Sequence, residues 1–219
     1  MLDLQGLASF IKICNVVDDE IARTIGLPAH AGHIGEYVAS AIFDIDLMKN
    51  AAHKAIDGHF RSGSLAERSV NIKYETRKDG LMNLVASLNP MHHPDDYLVL
   101  AGPSVGAISS RGLSAPWVIQ QVFLFESTEL LSKLATKGVK LGVGTSIRSA
   151  LWSEAMIYPD PANSRLASTD EQKQALQLFW GAAQAQNAHA SRRTGGSVRL
   201  WIADTGRDRR GSPTGHVRP

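Results

Sequence analysis

A single cysteine, Cys14, stands among the 219 residues. It excludes a disulfide framework and a cysteine-ligated zinc site. No apolar run is long enough to cross a bilayer. The N-terminus shows no basic-then-apolar signal pattern, so the expected setting is cytoplasmic, with no membrane partner. Charge of one sign is scarce as well, with a net charge of only +2. From Asn187 onward seven Arg stand against two Asp, a balance of +5 that leaves about −3 for the remainder. The body is therefore not a broadly basic nucleic-acid binder, and any grip on phosphate must be local.

What is present suits one α/β domain with a sizeable core. Residues 1–31 read as a helical extension. Within them, apolar spacing over Leu2 to Val17 predicts one helix, and Asp18 caps a second, Asp19 to Ile25, that stops at Gly26-Leu27-Pro28. Residues 32–186 read as the main domain. A helix starts near His33 with Glu36 in its first turn. A hairpin of Ile56–Phe60 and Val70–Tyr74 follows, then a near-continuous apolar strand in "DYLVLAGP" and another in "WVIQQVFLFES". Ser127 is expected to cap the helix "TELLSKLATKG". "VKLGVGTS" reads as a short strand or loop, "IRSALWSEAMI" as a helix, and "DEQKQALQLFWGAAQA" as the last helix. Residues 187–219 read as a basic, disordered tail. The order of elements gives a mixed central sheet flanked by helices.

The chemistry concentrates in "AIDGHFRSGSLAERSVNIKYE". Residues two apart on a strand share a face, so Asn71, Lys73 and Glu75 lie together, with Val70, Ile72 and Tyr74 on the other side. A hairpin brings Asp57 alongside, and Glu36 on the preceding helix is within reach. The carboxylates of Asp57 and Glu75, an amide and a lysine, with Glu36 as a further acid, suit metal-assisted phosphodiester hydrolysis. A hard cation takes oxygen ligands and acidifies a bound water, and a neighbouring lysine orients that water and stabilises the developing anion. The competing plain readings are an Asp-Gly turn at Asp57, a solvated charged strand at Lys73 and Glu75, and a helix-dipole acid at Glu36. His30 and His33 read as loop histidines. Trp117, Phe123, Phe125 and Trp152 read as packing residues. Arg77, Lys78, Lys140 and Arg148 are candidates for phosphate contacts, with a solvated face as the alternative for each.

Asp57, then Asn71-Ile72-Lys73, with Glu36 upstream, resembles the PD-(D/E)XK nuclease superfamily. The segments "GHIGEYVASAIFDI" and "APWVIQQVFLF" are similar to uncharacterised bacterial nuclease-like proteins. The resemblance implies a restriction-endonuclease-like αβββαβ core over roughly Gly32 to Lys137. It implies Asp57 and the Ile72 carbonyl as ligands of Mg²⁺ (or Mn²⁺) and Lys73 as the catalytic lysine. Glu36 matches the helix glutamate that many members set beside the metal. DNA is the implied substrate, in restriction or another defence role, with a homodimer and a methyltransferase or other defence partner by analogy. Two positions depart from the pattern. Ile56 precedes Asp57 where Pro is usual, and Asn71 stands where Asp or Glu is usual. Glu75 and Glu36 are the alternatives for the missing carboxylate. A catalytically inactive DNA-binding or protein-interaction module of the same fold is the second reading.

Overall fold

The computed structural model describes residues 4–48, 55–75, 81–86, 93–103 and 116–180. Arg77, Lys78 and the tail from Asn187 lie outside them. Among the described residues there are four α-helices: α1 (Leu4–Ile25), α2 (Ala31–Phe43), α3 (Ser127–Thr136) and α4 (Asp170–Trp180). The strands are β1 (Ile45–Leu47), β2 (Gly58–Phe60), β3 (Ser69–Glu75), β4 (Leu81–Ala86), β5 (Asp96–Ala101), β6 (Gln121–Glu126), β7 (Gly142–Arg148) and β8 (Met156–Tyr158). Six of them form an open sheet in the order β1-β2-β3-β5-β6-β8. All its pairings are antiparallel except β3 with β5. β4 and β7 pair separately as an antiparallel ribbon. No helix among the described residues is long and apolar enough to cross a membrane.

The sheet is buried on both faces, which explains the unbroken apolar runs of β5 and β6. Val70, Ile72, Leu98 and Leu100 on one face meet Val38, Ala39 and Phe43 of α2 and Leu176 of α4. Tyr97, Val99, Phe123 and Phe125 on the other meet Leu130 and Leu134 of α3, Ile147 of β7 and Trp152. Phe123, Phe125 and Trp152 are thus core residues, as the sequence suggests. Trp117 is half-buried, stacked on Tyr74 at 4.8 Å between ring centroids and edge-on to Phe179 at 5.6 Å. Its indole N–H donates to the Ala31 carbonyl at 3.2 Å, which ties the start of α2 to the sheet.

Four expectations are corrected. α1 is one continuous helix: no Gly or Pro separates Val17 from Asp19, and Asp18 sits exposed inside it. Glu36 is the sixth residue of α2, beyond the first turn, because the helix begins at Ala31. α3 is capped by Glu126, whose carboxylate accepts from the Glu129 N–H at 2.6 Å, while Ser127 is already helical and buried. "IRSALWSEAMI" is the end of β7, two short 3-10 turns and the start of β8, not a helix. The Trp152 indole donates to the Ile147 carbonyl at 3.0 Å there, closing a tight corner that a straight helix would open. β1 and β4 are additions the sequence does not announce.

Gly58 permits the junction of β1 with β2. A Cβ there would stand 2.5 Å from the Asp46 carbonyl oxygen and 2.8 Å from an Ile45 methyl. Gly58→Ala is therefore expected to cost about 1–3 kcal/mol, as overpacking against backbone does. Denaturant unfolding checks it. A cost near zero would mean that the two strands slide apart freely.

Candidate functional site

Asp57 immediately precedes β2 and is fixed by its own backbone. Its N–H donates to the Val70 carbonyl at 2.9 Å, and its carbonyl accepts from the Met48 N–H at 2.8 Å. Its side chain then takes over where β2 gives out. Oδ2 accepts from the Ile72 N–H at 2.6 Å, in place of the ladder partner that a longer β2 would provide. The N–H and C=O of a strand residue project to the same edge. The Ile72 carbonyl therefore faces the edge on which the Asp57 carboxylate is held.

β3 divides its side chains as the alternation predicts. Asn71, Lys73 and Glu75 stand opposite Tyr97, Val99 and Ala101 of β5, whose side chains line the α3 face. Val70 and Ile72 belong to the α2 face, where Tyr74 packs against them. Asn71 is only 3% exposed, and its Oδ1 has no hydrogen-bond partner among the described residues. An unpaired acceptor at that depth costs about 1–3 kcal/mol. The hydroxyl of Tyr97, the residue at the same register on the neighbouring strand, is also buried without a partner among the described residues, and burial pushes this phenol up to about 12. Tyr97 is the site neighbour that sequence reasoning missed. "DYLVLAGP" reads as a plain apolar strand, and only the register sets Tyr97 opposite Asn71.

Glu36 comes from α2, which packs on the opposite face of β3. Gly35 allows the approach, since a Cβ there would lie 2.9 Å from that of Tyr74. Glu36 still shares the electrostatic field of Asp57 and Lys73. Its carboxyl is raised above its usual range by burial first and by the Asp57 charge second, with His33 and Lys73 opposing. Asp57 is likewise raised by burial, against the pull of the Ile72 N–H and Lys73. Lys73 is half-buried and makes no ion pair among the described residues. Glu36 thus feels the charges of Asp57 and Lys73, Asp57 feels that of Lys73, and the Ile72 backbone is bonded to Asp57.

The remaining candidates stand apart or are otherwise engaged. Glu75 ends β3 half-buried and is already engaged in an interaction of its own. Lys140 is exposed before β7, and Arg148 is exposed at its end, on the ribbon rather than the main sheet. Neither is among the charges that shift Asp57 or Glu36. His33 approaches the Pro28 carbonyl with Nδ1 at 2.9 Å and sits 5.5 Å from the His30 ring. Among the described residues no three His, Cys, Asp or Glu side chains gather to hold a metal.

The donor set still fits a hard cation of the Mg²⁺ kind, which needs only one or two carboxylates and keeps several waters. The observation that decides the fit is the orphaned Asn71 Oδ1, supported by two carboxylates that burial leaves short of positive charge. The two raised carboxyls also set a pH dependence. The folded state holds these protons above the ordinary values of 3.8 for Asp57 and 4.5 for Glu36. Their contribution to stability is therefore complete below those values and is lost as pH rises through the raised ones. Asp57→Asn keeps an acceptor for the Ile72 N–H and removes the charge. It is expected to flatten the fall in melting temperature between mildly acidic and neutral pH in metal-free buffer. An unchanged slope in a thermal series over pH would assign the effect elsewhere.

Comparison with protein-family models and with curated proteins finds no match to this chain.

Proposed function

We propose that the chain is a metal-dependent endonuclease of PD-(D/E)XK type that hydrolyses DNA phosphodiester bonds. The observation that carries the reading is the clamp of the Asp57 carboxylate on the Ile72 N–H. It holds the acid, the Ile72 carbonyl and the Asn71-Ile72-Lys73 strand at one point. The helix α2 followed by the antiparallel run β1-β2-β3 supports a restriction-endonuclease-like core around it.

Asp57, the Ile72 carbonyl and Asn71 Oδ1 would hold Mg²⁺ or Mn²⁺, with Glu36 as the second carboxylate. The bound cation supplies an acidified water and neutralises charge at the phosphate. The chain does the rest. Lys73, on the same face as Asn71, orients the attacking water and meets the anion that builds on the phosphate. The Ile72 N–H fixes which Asp57 oxygen is left for the metal, and the buried wall of Tyr97 and Val99 excludes bulk water from that side.

The second reading, an inactive binding module on the same fold, is favoured by one observation: Asn71 supplies no charge where the nuclease pattern has an acid. Metal binding separates the two. Saturating Mg²⁺ or Mn²⁺ at about a hundred times Kd adds about 2.7 kcal/mol of stability, or about 5–10 °C in melting temperature for a chain of this size. The nuclease reading expects that rise in the wild type and its loss in Asp57→Asn. No rise in either protein would favour the module.

A further inference from the structure

α1 buries no residue, and from Leu4 to Val17 each of its seven large apolar side chains is at least half exposed. At 100° per residue, Leu4, Leu7, Phe10, Ile11, Cys14 and Val17 fall within one half of the helix circumference. Lys12, Asp19, Glu20 and Arg23 fall on the other half. The apolar face continues through Ile21 and Ile25, which are half-buried where α1 meets α2. The fold therefore covers only the C-terminal end of this face and leaves the rest projecting.

We propose that α1 is a dimerisation helix that pairs antiparallel with α1 of a second copy of the chain. Three observations select that occupant. The exposed apolar side chains that the paired stretch places on the apolar half, Leu4, Leu7, Phe10 and Ile11, present on the order of 400 Å² together, below the roughly 800 Å² per partner of a standard stable interface and suited to a weaker pair. The helix carries two cations, Lys12 and Arg23, against Asp18, Asp19 and Glu20. A lipid-surface helix is rich in Lys and Arg instead, so an anionic bilayer is the poorer match. Asp18 fixes the orientation, because it interrupts the spacing Leu4, Leu7, Ile11, Cys14, Asp18, Ile21. In a parallel pair, equal numbers face each other, and two Asp18 carboxylates would meet inside the apolar seam. An antiparallel pair with Leu4 against the second copy's Cys14, and Leu7 against its Ile11, makes four apolar layers. It leaves Asp18 beyond the end of the seam and sets the two folded bodies at opposite ends. The inference does not rest on nuclease chemistry.

The test is the solution mass of the full chain by light scattering at micromolar concentration. The expected mass is twice the 23.7 kDa of one chain. Leu7→Glu with Ile11→Glu should return it to one chain with unchanged circular dichroism and melting behaviour, since neither side chain belongs to the core. Under mild oxidation the wild type should form no interchain disulfide, whereas Leu4→Cys should cross-link to the native Cys14. Those two positions in one helix lie about 15 Å apart, too far for a bond within the chain. A monomeric wild type, a dimer that survives the double substitution, or rapid Cys14–Cys14 cross-linking in the wild type would each overturn the proposal. A monomer that binds phosphatidylserine vesicles through the same residues would assign the face to lipid.

Discussion

Replacing Lys73 with alanine should reduce metal-dependent cleavage about 10²–10⁴-fold, the range for losing one positioned proton-transfer or anion-stabilising group. The change should leave the fold intact. Lys73 is half-buried at a strand position and makes no ion pair among the described residues. Its charge lowers both Asp57 and Glu36. Removing it leaves the two carboxylates less compensated, so metal affinity should hold or tighten while the chemical step fails. That split is what a solvated, unimportant lysine would not show. Single-turnover cleavage and a metal titration of the same preparation measure the two halves. Equal loss of both would mean that the substitution collapses the site, and loss of neither would make Lys73 a bystander.

The second large effect is on stability and falls at the start of β5. Asp96 is fully buried, and each of its carboxylate oxygens is taken by a different arginine. Arg68 Nε donates to Oδ2 at 2.6 Å, and Arg165 Nη1 donates to Oδ1 at 2.8 Å. Asp96 thereby joins the loop before β3 to the segment between β8 and α4. Breaking a buried pair costs about 3–5 kcal/mol. The two guanidiniums here are about a third exposed, so Asp96→Ala should fall at the lower end, about 3 kcal/mol. At about 2–4 °C per kcal/mol for a chain of this size, the melting temperature should drop by about 6–12 °C. A drop of only a degree or two in calorimetry would show that both arginines find water or new partners. The metal-induced stabilisation should persist in this variant, because the Asp96 carboxylate is taken up by Arg68 and Arg165 and is not among the charges that shift Asp57.

Much of the frame is legible in the sequence where local pattern and tertiary need agree. "SVNIKYE" alternates, and its two faces do enter different layers. "YLVLA" and "VFLF" are apolar throughout because helices or the ribbon cover both sides. The failures have physical sources. β8 is three residues long and forms against the edge of the longer β6, and β1 is three residues that pair only with the equally short β2. β4 pairs with a strand about sixty residues later, which no local period can reveal. Ser127 looks like a cap by type, but Glu126 leaves β6 in an extended conformation and reaches the first free N–H groups.

The site is less legible than the frame. Residue types nominated Asp57, Lys73 and Glu36, but not how they meet. The bond from Ile72 N–H to Asp57 depends on β2 ending at Gly58. The burial of Asn71 opposite Tyr97 depends on the parallel register of β3 with β5. Asn71 is the departure from the nuclease pattern, and its buried Oδ1 has no hydrogen-bond partner among the described residues.

One measurement bears on the centre directly: cleavage of plasmid and linear DNA by the wild type in Mg²⁺, Mn²⁺ and chelator, beside Lys73→Ala and Asp57→Ala. Cleavage that requires the metal and disappears in both variants, with circular dichroism unchanged, is the expected result. Cleavage that survives both substitutions would contradict the assigned centre, and a folded wild type that cuts neither DNA in either metal would contradict the nuclease itself.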